Sequence, residues 1–129
     1  MPGWGTYNGN PLSSAAGIAC LEIVKDPAVQ QRAIDAANQL RAGFSEAMAR
    51  HGVAGRAGGP VSLVPVSFSE PLIPMKQLVY RFRAAMQLGG ADPSGFNFIV
   101  SATHGQVEID RTVAAFDNAL AMLTEEGAL

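Results

Sequence analysis

The feature that most constrains this chain is the run PLSSAAGIACLEIV, Pro11 to Val24. Leu12, Ala15, Ala16, Ile18, Ala19, Leu21, Ile23 and Val24 leave almost no polar side around a helix, which is the pattern of a helix enclosed within a larger body. Yet the whole chain has 129 residues, one domain's worth, and a domain of that size buries roughly two thirds of the surface it exposes when unfolded. Hydrophobic residues make up 48% and charged residues 16%, so little polar surface is available to cover an isolated core. Some apolar faces are expected to meet a partner, and this helix first among them.

The boundaries of that helix are written in its flanks. Asn10 is a good N-cap with Pro11 at the first helical position, and Asp26-Pro27 repeats the signal, so one helix ends near Lys25 and a second begins at once. In the second, Ala33, Ala37, Leu40, Phe44, Ala47 and His51 step by four and three along one stripe, and Gly52 is the expected C-terminal glycine. Gly55 to Pro60 reads as a turn. Val61 to Phe68, VSLVPVSF, alternates as a strand, and Pro65, which has no donor for a ladder, predicts an edge strand or a bulge. Met75, Leu78, Phe82, Ala85 and Met86 mark a third helix stopped by Gly89-Gly90. Phe96 to Val100 is a short buried strand. Thr103 and Gln106 have capping-box spacing ahead of a last helix through Ile109, Val113, Phe116, Leu120 and Leu123 to near Gly127. The order is helix, helix, strand, helix, strand, helix: an α+β pattern with few strands, without repeats or low-complexity linkers.

The chemistry on offer is sparse. Net charge is −2 with the nine Lys and Arg scattered, which argues against nucleic acid as a partner. No apolar run reaches the roughly 20 residues of a membrane helix and no secretory signal pattern is present, so the reading is a cytoplasmic chain with no membrane partner. Cys20, inside the apolar helix, reads as a small buried hydrophobe. His51 suits the carbonyl end of a long helix, and His104, at the start of the last helix, faces either a site or solvent. The two are far apart and lack HxxxH or CxxC spacing, so no metal site is expected. Lys25 and Lys76, near helix ends, read as solvated rather than as Schiff-base lysines, which need a desolvated pocket. There is neither a GxSxG elbow nor a GxxxxGK[ST] loop.

What remains is GTYNGNP, Gly5 to Pro11. Gly5 and Gly9 permit close backbone approach, Thr6 offers a hydroxyl and an amide, and Asn8 and Asn10 add polar groups just before a helix N-terminus. Such a turn suits a phosphate or carboxylate, though an ordinary N-terminal turn with an N-cap accounts for the same residues.

The stretch GTYNGNPLSSAAGIACLEIVKDPAVQQRA resembles the segment that follows the cofactor lysine in class III pyridoxal-phosphate aminotransferases, the glutamate-1-semialdehyde aminomutase branch in particular. LRAGFSEAMARHGVAG and the closing FIVSATHGQVEIDRTVAAFDNAL are similar to the same branch, so the likeness covers essentially the whole chain. It implies the C-terminal portion of a fold type I PLP-dependent transferase: residues 1–26 as cofactor-phosphate turn and large-domain interface helix, residues 27–129 as the C-terminal small domain, a small sheet covered by helices. By the resemblance, Gly5 and Thr6 would bind the phosphate of pyridoxal 5'-phosphate held mainly by the other subunit of a homodimer, the substrate being an amino acid or amine. The Schiff-base lysine, the aspartate for the pyridine nitrogen and the glycine-rich phosphate loop are expected upstream. This chain alone, lacking them, is expected to be inactive, with a complementary N-terminal chain as the other possible partner. The sequence departs from the branch at PVSLVPVSF and at HGQVEI, which bears on substrate choice. A free-standing binding or interaction module with the same fold is the alternative reading.

Overall fold

The structure is a computed structural model and describes residues 9–129. Four helices and three short strands follow in the order α1 (Pro11–Val24), α2 (Pro27–His51), β1 (Gly55–Ala57), β2 (Leu63–Phe68), α3 (Met75–Leu88), β3 (Asn97–Ile99) and α4 (Gln106–Glu125). The two Asx-Pro signals cap as the sequence predicts. Asn10 Oδ1 accepts from the amides of Leu12 and Ser13, Asp26 Oδ1 accepts from Ala28, and a proline occupies the first turn of each helix. At the far end of α2, Gly52 turns the chain with φ 65°, a left-handed conformation that costs glycine nothing.

The apolar stripe of α2 faces inward: Ala33, Ala36, Ala37, Leu40, Phe44, Ala47 and Met48 are buried. Against it lie α4, through Phe116, Ala119 and Leu120, and the inner face of the sheet, through Val64, Val66, Phe68 and Phe98. Phe44 is the hub, stacked on Phe116 with ring centroids 4.1 Å apart and tilted against Phe98 at 4.7 Å. Phe82 of α3 closes the other side, edge-on to Phe68 and Phe116. Gly43 lets α2 and α4 cross closely, since a Cβ there would lie 2.6 Å from Val113 Cγ2.

The sheet runs β1-β2-β3, antiparallel throughout, with Ala57 opposite Val66 and Val64 opposite Phe98. Pro65 therefore sits on the middle strand, not on an edge strand as its missing donor suggests. The reason is a substitution of donors. Gly58 N–H donates to Pro65 O at 3.0 Å, so in a regular ladder Gly58 O would face the nitrogen of Pro65. That nitrogen has no hydrogen, and Arg41 Nε donates to Gly58 O instead, at 3.1 Å. The start of α4 also differs from expectation. The N-cap is Gly105, whose N–H donates to Glu108 Oε2 at 2.9 Å, and Thr103 pairs its hydroxyl with Ser101 in the preceding turn. The capping interaction falls two residues later than Thr103 and Gln106 indicated, because Glu108 is the acidic residue that reaches back.

Candidate functional site

Gly5 and Thr6, the residues assigned to a cofactor phosphate, lie outside the described residues, as does Asn8. The structure describes the far end of their turn. Gly9 has φ 77°, and Asn10 then spends its side chain on the helix: Oδ1 accepts from Leu12 N at 2.9 Å and Ser13 N at 3.3 Å, while Asn10 O accepts from Ser14 N at 2.9 Å. Pro11 has no donor. The first amides of α1 are thus occupied by Asn10, and Asn10 turns toward the helix rather than toward a ligand.

The ionisable groups are distributed rather than gathered. Lys25, the C-cap of α1, is exposed and ion-paired with Glu22, and Lys76 is exposed in the first turn of α3. Cys20 is exposed, contrary to the buried position expected of it, because among the described residues α1 has no neighbour to bury that face. His51 does more than close α2: its Nε2 lies 3.0 Å from Asp117 Oδ1 on α4, and Arg50 Nη2 donates to the same oxygen at 2.8 Å. Those bonds, led by Arg50, hold the Asp117 carboxyl below the usual aspartate value, against a desolvation that pushes it up. Arg83 likewise lowers Asp92 with a two-pronged contact, Nε to Oδ1 at 2.7 Å and Nη2 to Oδ2 at 3.0 Å. His104 is exposed, and its Nδ1 accepts from the Ser101 amide at 3.0 Å, which ties it to its own turn. Among the described residues no group of three or more His, Cys, Asp or Glu could hold a metal, and no helix is long and apolar enough to cross a membrane.

Two features were not legible locally. One is Arg41, whose guanidinium reaches across from α2 to three carbonyls of the Gly58–Leu63 loop: Gly58 at 3.1 Å, Val61 at 2.8 Å and Leu63 at 3.1 Å. The other is an open cleft of about 370 Å³ between β3, the Gly90–Ser94 loop and the start of α4, with Phe98 and Ile109 at its base. Both join segments far apart in the chain, and only the half-polar position of Arg41 beside the apolar stripe hints at either.

The chain resembles known proteins over most of its length. It is 34% identical over 128 residues to glutamate-1-semialdehyde 2,1-aminomutase of Thermomicrobium roseum, which covers 91% of this chain and 30% of the relative. The aminomutase of Dechloromonas aromatica is 35% identical over 130 residues, again 92% of this chain against 30% of the relative. Among solved structures, an omega-transaminase from Sphaerobacter thermophilus superposes with TM-score 0.81 at 27% identity, over 94% of this chain and 30% of that one. A transaminase with PLP bound shares the fold with TM-score 0.88 at 23% identity, over 98% of this chain and 31% of that one. No protein-family model matches. The chain spans about 30% of the length of the relatives it matches, and it corresponds to their C-terminal portion. Its helices and three-stranded sheet are those of the small C-terminal domain of a fold type I PLP-dependent transferase.

Proposed function

We propose that a chain matching the C-terminal portion of the glutamate-1-semialdehyde aminomutases works as part of a complete PLP-dependent aminotransferase or aminomutase. There it closes the active site and lends one cofactor-phosphate contact across a homodimer interface. Residues 1–26 would carry the phosphate turn and the helix that packs on the large domain, and residues 27–129 the small domain. The substrate would be an amino acid or an amine.

The observation that carries this reading is α1. It is the most apolar helix of the chain, yet none of its residues is buried, and Leu12 and Leu21 are 80% and 65% exposed. Covering four of its aliphatic side chains is worth about 6 to 12 kcal/mol, as much as the whole stability of a small domain. A helix of this kind is built for enclosure by protein beyond the small-domain core.

Bound pyridoxal phosphate supplies an electron sink for bonds broken at the alpha carbon of an amino substrate. This chain's residues fit a supporting part in that chemistry and not the central one. The two lysines, Lys25 and Lys76, are both exposed, and Lys25 is paired with Glu22, whereas a Schiff-base lysine needs a desolvated pocket. Thr6 and the adjacent amides would hold phosphate oxygens, fixing the cofactor without moving a proton on it.

Two experiments test the reading. The purified 129-residue chain with added pyridoxal phosphate should turn over no amino donor, and measurable transamination would overturn the supporting role. In the complete enzyme, Thr6→Ala removes a hydrogen bond to a charged group, about 1.5 to 3 kcal/mol, so the cofactor Kd should rise by roughly one to two orders of magnitude. An unchanged Kd would show that GTYNGNP is only a turn.

A further inference from the structure

The edge of β3 is closed at both ends and open in the middle. Asn97 exchanges backbone hydrogen bonds with Ser94, at 3.0 and 2.9 Å, and beyond the strand His104 N–H donates to Ser101 O while Ser101 N–H donates to His104 Nδ1. Between these two turns the outward N–H and C=O of Ile99 have no partner among the described residues. They open on the cleft of about 370 Å³ between β3 and α4. One residue's donor and acceptor set side by side on a strand edge match one residue of an antiparallel guest, which exchanges both bonds with it. The flanking turns already occupy the edge on either side, so a long strand has no room to run on.

The charges around this opening are ordered from end to end. The Gly90–Ser94 wall enters β3 at its N-terminal end, and Arg111 lies beside that wall, since a Cβ on Gly90 would be 3.6 Å from Arg111 Cδ. Arg111 has no hydrogen-bond or ion-pair partner among the described residues, whereas Asp92, the acid of the wall, is already held by Arg83 and Gln87. At the other end, where β3 leaves for α4, stand His104 and Glu108. Nδ1 of His104 is taken by the Ser101 amide. Glu108 places Oε2 on the Gly105 amide at 2.9 Å, which leaves Oε1 without a partner among the described residues. One end of the cleft thus offers an unpaired guanidinium and the other a carboxylate oxygen.

A guest that runs against β3 has its N-terminus at the Glu108 end and its C-terminus at the Arg111 end. Its α-ammonium then meets Glu108 and its α-carboxylate meets Arg111, a match that the reverse direction loses. The guest side chain opposite Ile99 shares the outward side of Ile99, whose neighbour Phe98 is buried. The residues before and after it face inward, toward Phe98 and Ile109 at the base of the cleft. The smallest peptide that carries both an amide N–H and an amide C=O on one residue, with a charge at each terminus, is a tripeptide. A volume of about 370 Å³ lies at the small end of ligand pockets, which run from about 300 to 1,000 Å³, and suits a ligand of that size. The wall is preformed, with Pro93 buried and Asp92 fixed by the two-pronged contact of Arg83.

We infer that this cleft is a binding site for a free, extended tripeptide with apolar outer residues, its middle residue bridged to Ile99, its carboxylate on Arg111 and its ammonium on Glu108. The site lies apart from α1, which packs only on α2 among the described elements, and it does not depend on the function proposed above.

The test is NMR titration of the 129-residue chain with the peptide Val-Ala-Val. The backbone amides of Ile99, His104 and Arg111 should shift together and saturate with a Kd at or below about 1 mM. Methylating the middle amide nitrogen, which removes the donor to Ile99 O, should weaken binding about tenfold or more. Amidating the C-terminus should weaken it about twofold to fivefold, and Arg111→Gln should erase the difference between acid and amide. Acetylating the N-terminus should have a similar effect, erased by Glu108→Gln, a change that keeps the capping contact to Gly105. The absence of any saturable shift by about 10 mM would overturn the site. Equal binding of the N-methylated peptide would overturn the bridge to Ile99, and an acid–amide difference that survives Arg111→Gln would overturn the orientation. Equal affinity for Ac-Val-Ala-Val-NH2 would also overturn the inference, because it would identify an internal strand of a longer chain as the occupant.

Discussion

Helices α1 and α2 begin with the same local grammar and end in opposite environments. Each has an Asx N-cap followed by proline, and only two residues, Lys25 and Asp26, separate them. The more apolar of the two, α1, buries nothing, whereas α2, which carries more charged and amide side chains, buries seven residues and is the spine of the core. The contrast teaches that apolar content does not make a helix internal to its own chain. Periodicity does: a single stripe points at one neighbour, which the same chain can supply, while an all-round apolar surface needs neighbours on every side.

The sharpest way to break this comparison is to truncate one apolar side chain in each helix. Phe44→Ala, at a fully buried position stacked on Phe116, should cost about 3 to 5 kcal/mol in urea denaturation of the 129-residue chain. Leu21→Ala should change the same measurement by less than about 0.5 kcal/mol. Equal costs would mean that α1 is packed in solution.

A middle-sized effect is expected at Arg41. Arg41→Met keeps most of the aliphatic stem but strands three loop carbonyls, one of them opposite Pro65. The loss should be about 1 to 3 kcal/mol, with hydrogen exchange rising first at residues 58–63. Protection of that loop equal to the wild type would remove Arg41 as its restraint.

Self-association separates the helices without touching the fold. The 129-residue chain should associate as concentration rises in light scattering, through α1, and the pair Ile18→Glu, Leu21→Lys should abolish this while leaving the denaturation midpoint nearly unchanged. Wild-type chain that stays monomeric at high concentration would show that α1 needs no cover.

The smallest effect is the acid limb of stability, which tests how α2 is latched to α4. Asp117 has a folded pKa below its ordinary value of 3.8, so the stabilisation from Arg50 and His51 is complete above that value and is lost as pH falls below it through the folded pKa. Asp117→Asn should therefore flatten the fall in stability below about pH 4 and lower stability modestly at neutral pH, the partly exposed pair being screened by solvent. An unchanged acid limb would show that the latch carries no weight.

Much of the fold is legible in particular residues. Asn10, Asp26 and Gly52 mark helix ends because capping is settled within three or four residues of chain. The stripe from Ala33 to Ala47 identifies the buried face of α2, and the alternation at Val64, Val66 and Phe68 identifies the inner face of β2. What misled were residues whose local rule was overridden at a distance. Pro65 stands in a middle strand because Arg41, twenty-four positions earlier, supplies the donor that proline lacks. Cys20 sits in an apolar pattern yet is exposed, since nothing among the described residues packs against that side of α1. His51 suits a simple helix end, yet its partner Asp117 comes from the last helix, 66 residues later. Of the candidate site, GTYNGNP was visible as a motif, but the occupation of the α1 amides by Asn10 is a matter of side-chain direction that spelling does not convey.

By itself, then, the sequence determined the helix boundaries, the stripe and alternation that build the core, and the likeness to the C-terminal portion of PLP-dependent aminomutases and transaminases, because each depends on residues close together in the chain or on the order of residue types along it. Only the tertiary structure decided that the most apolar helix lies bare, that Pro65 belongs in the centre of the sheet and that one arginine gathers three carbonyls of a distant loop. Those outcomes depend on which distant segments meet, and that is set by the summed packing of the whole core rather than by any local pattern.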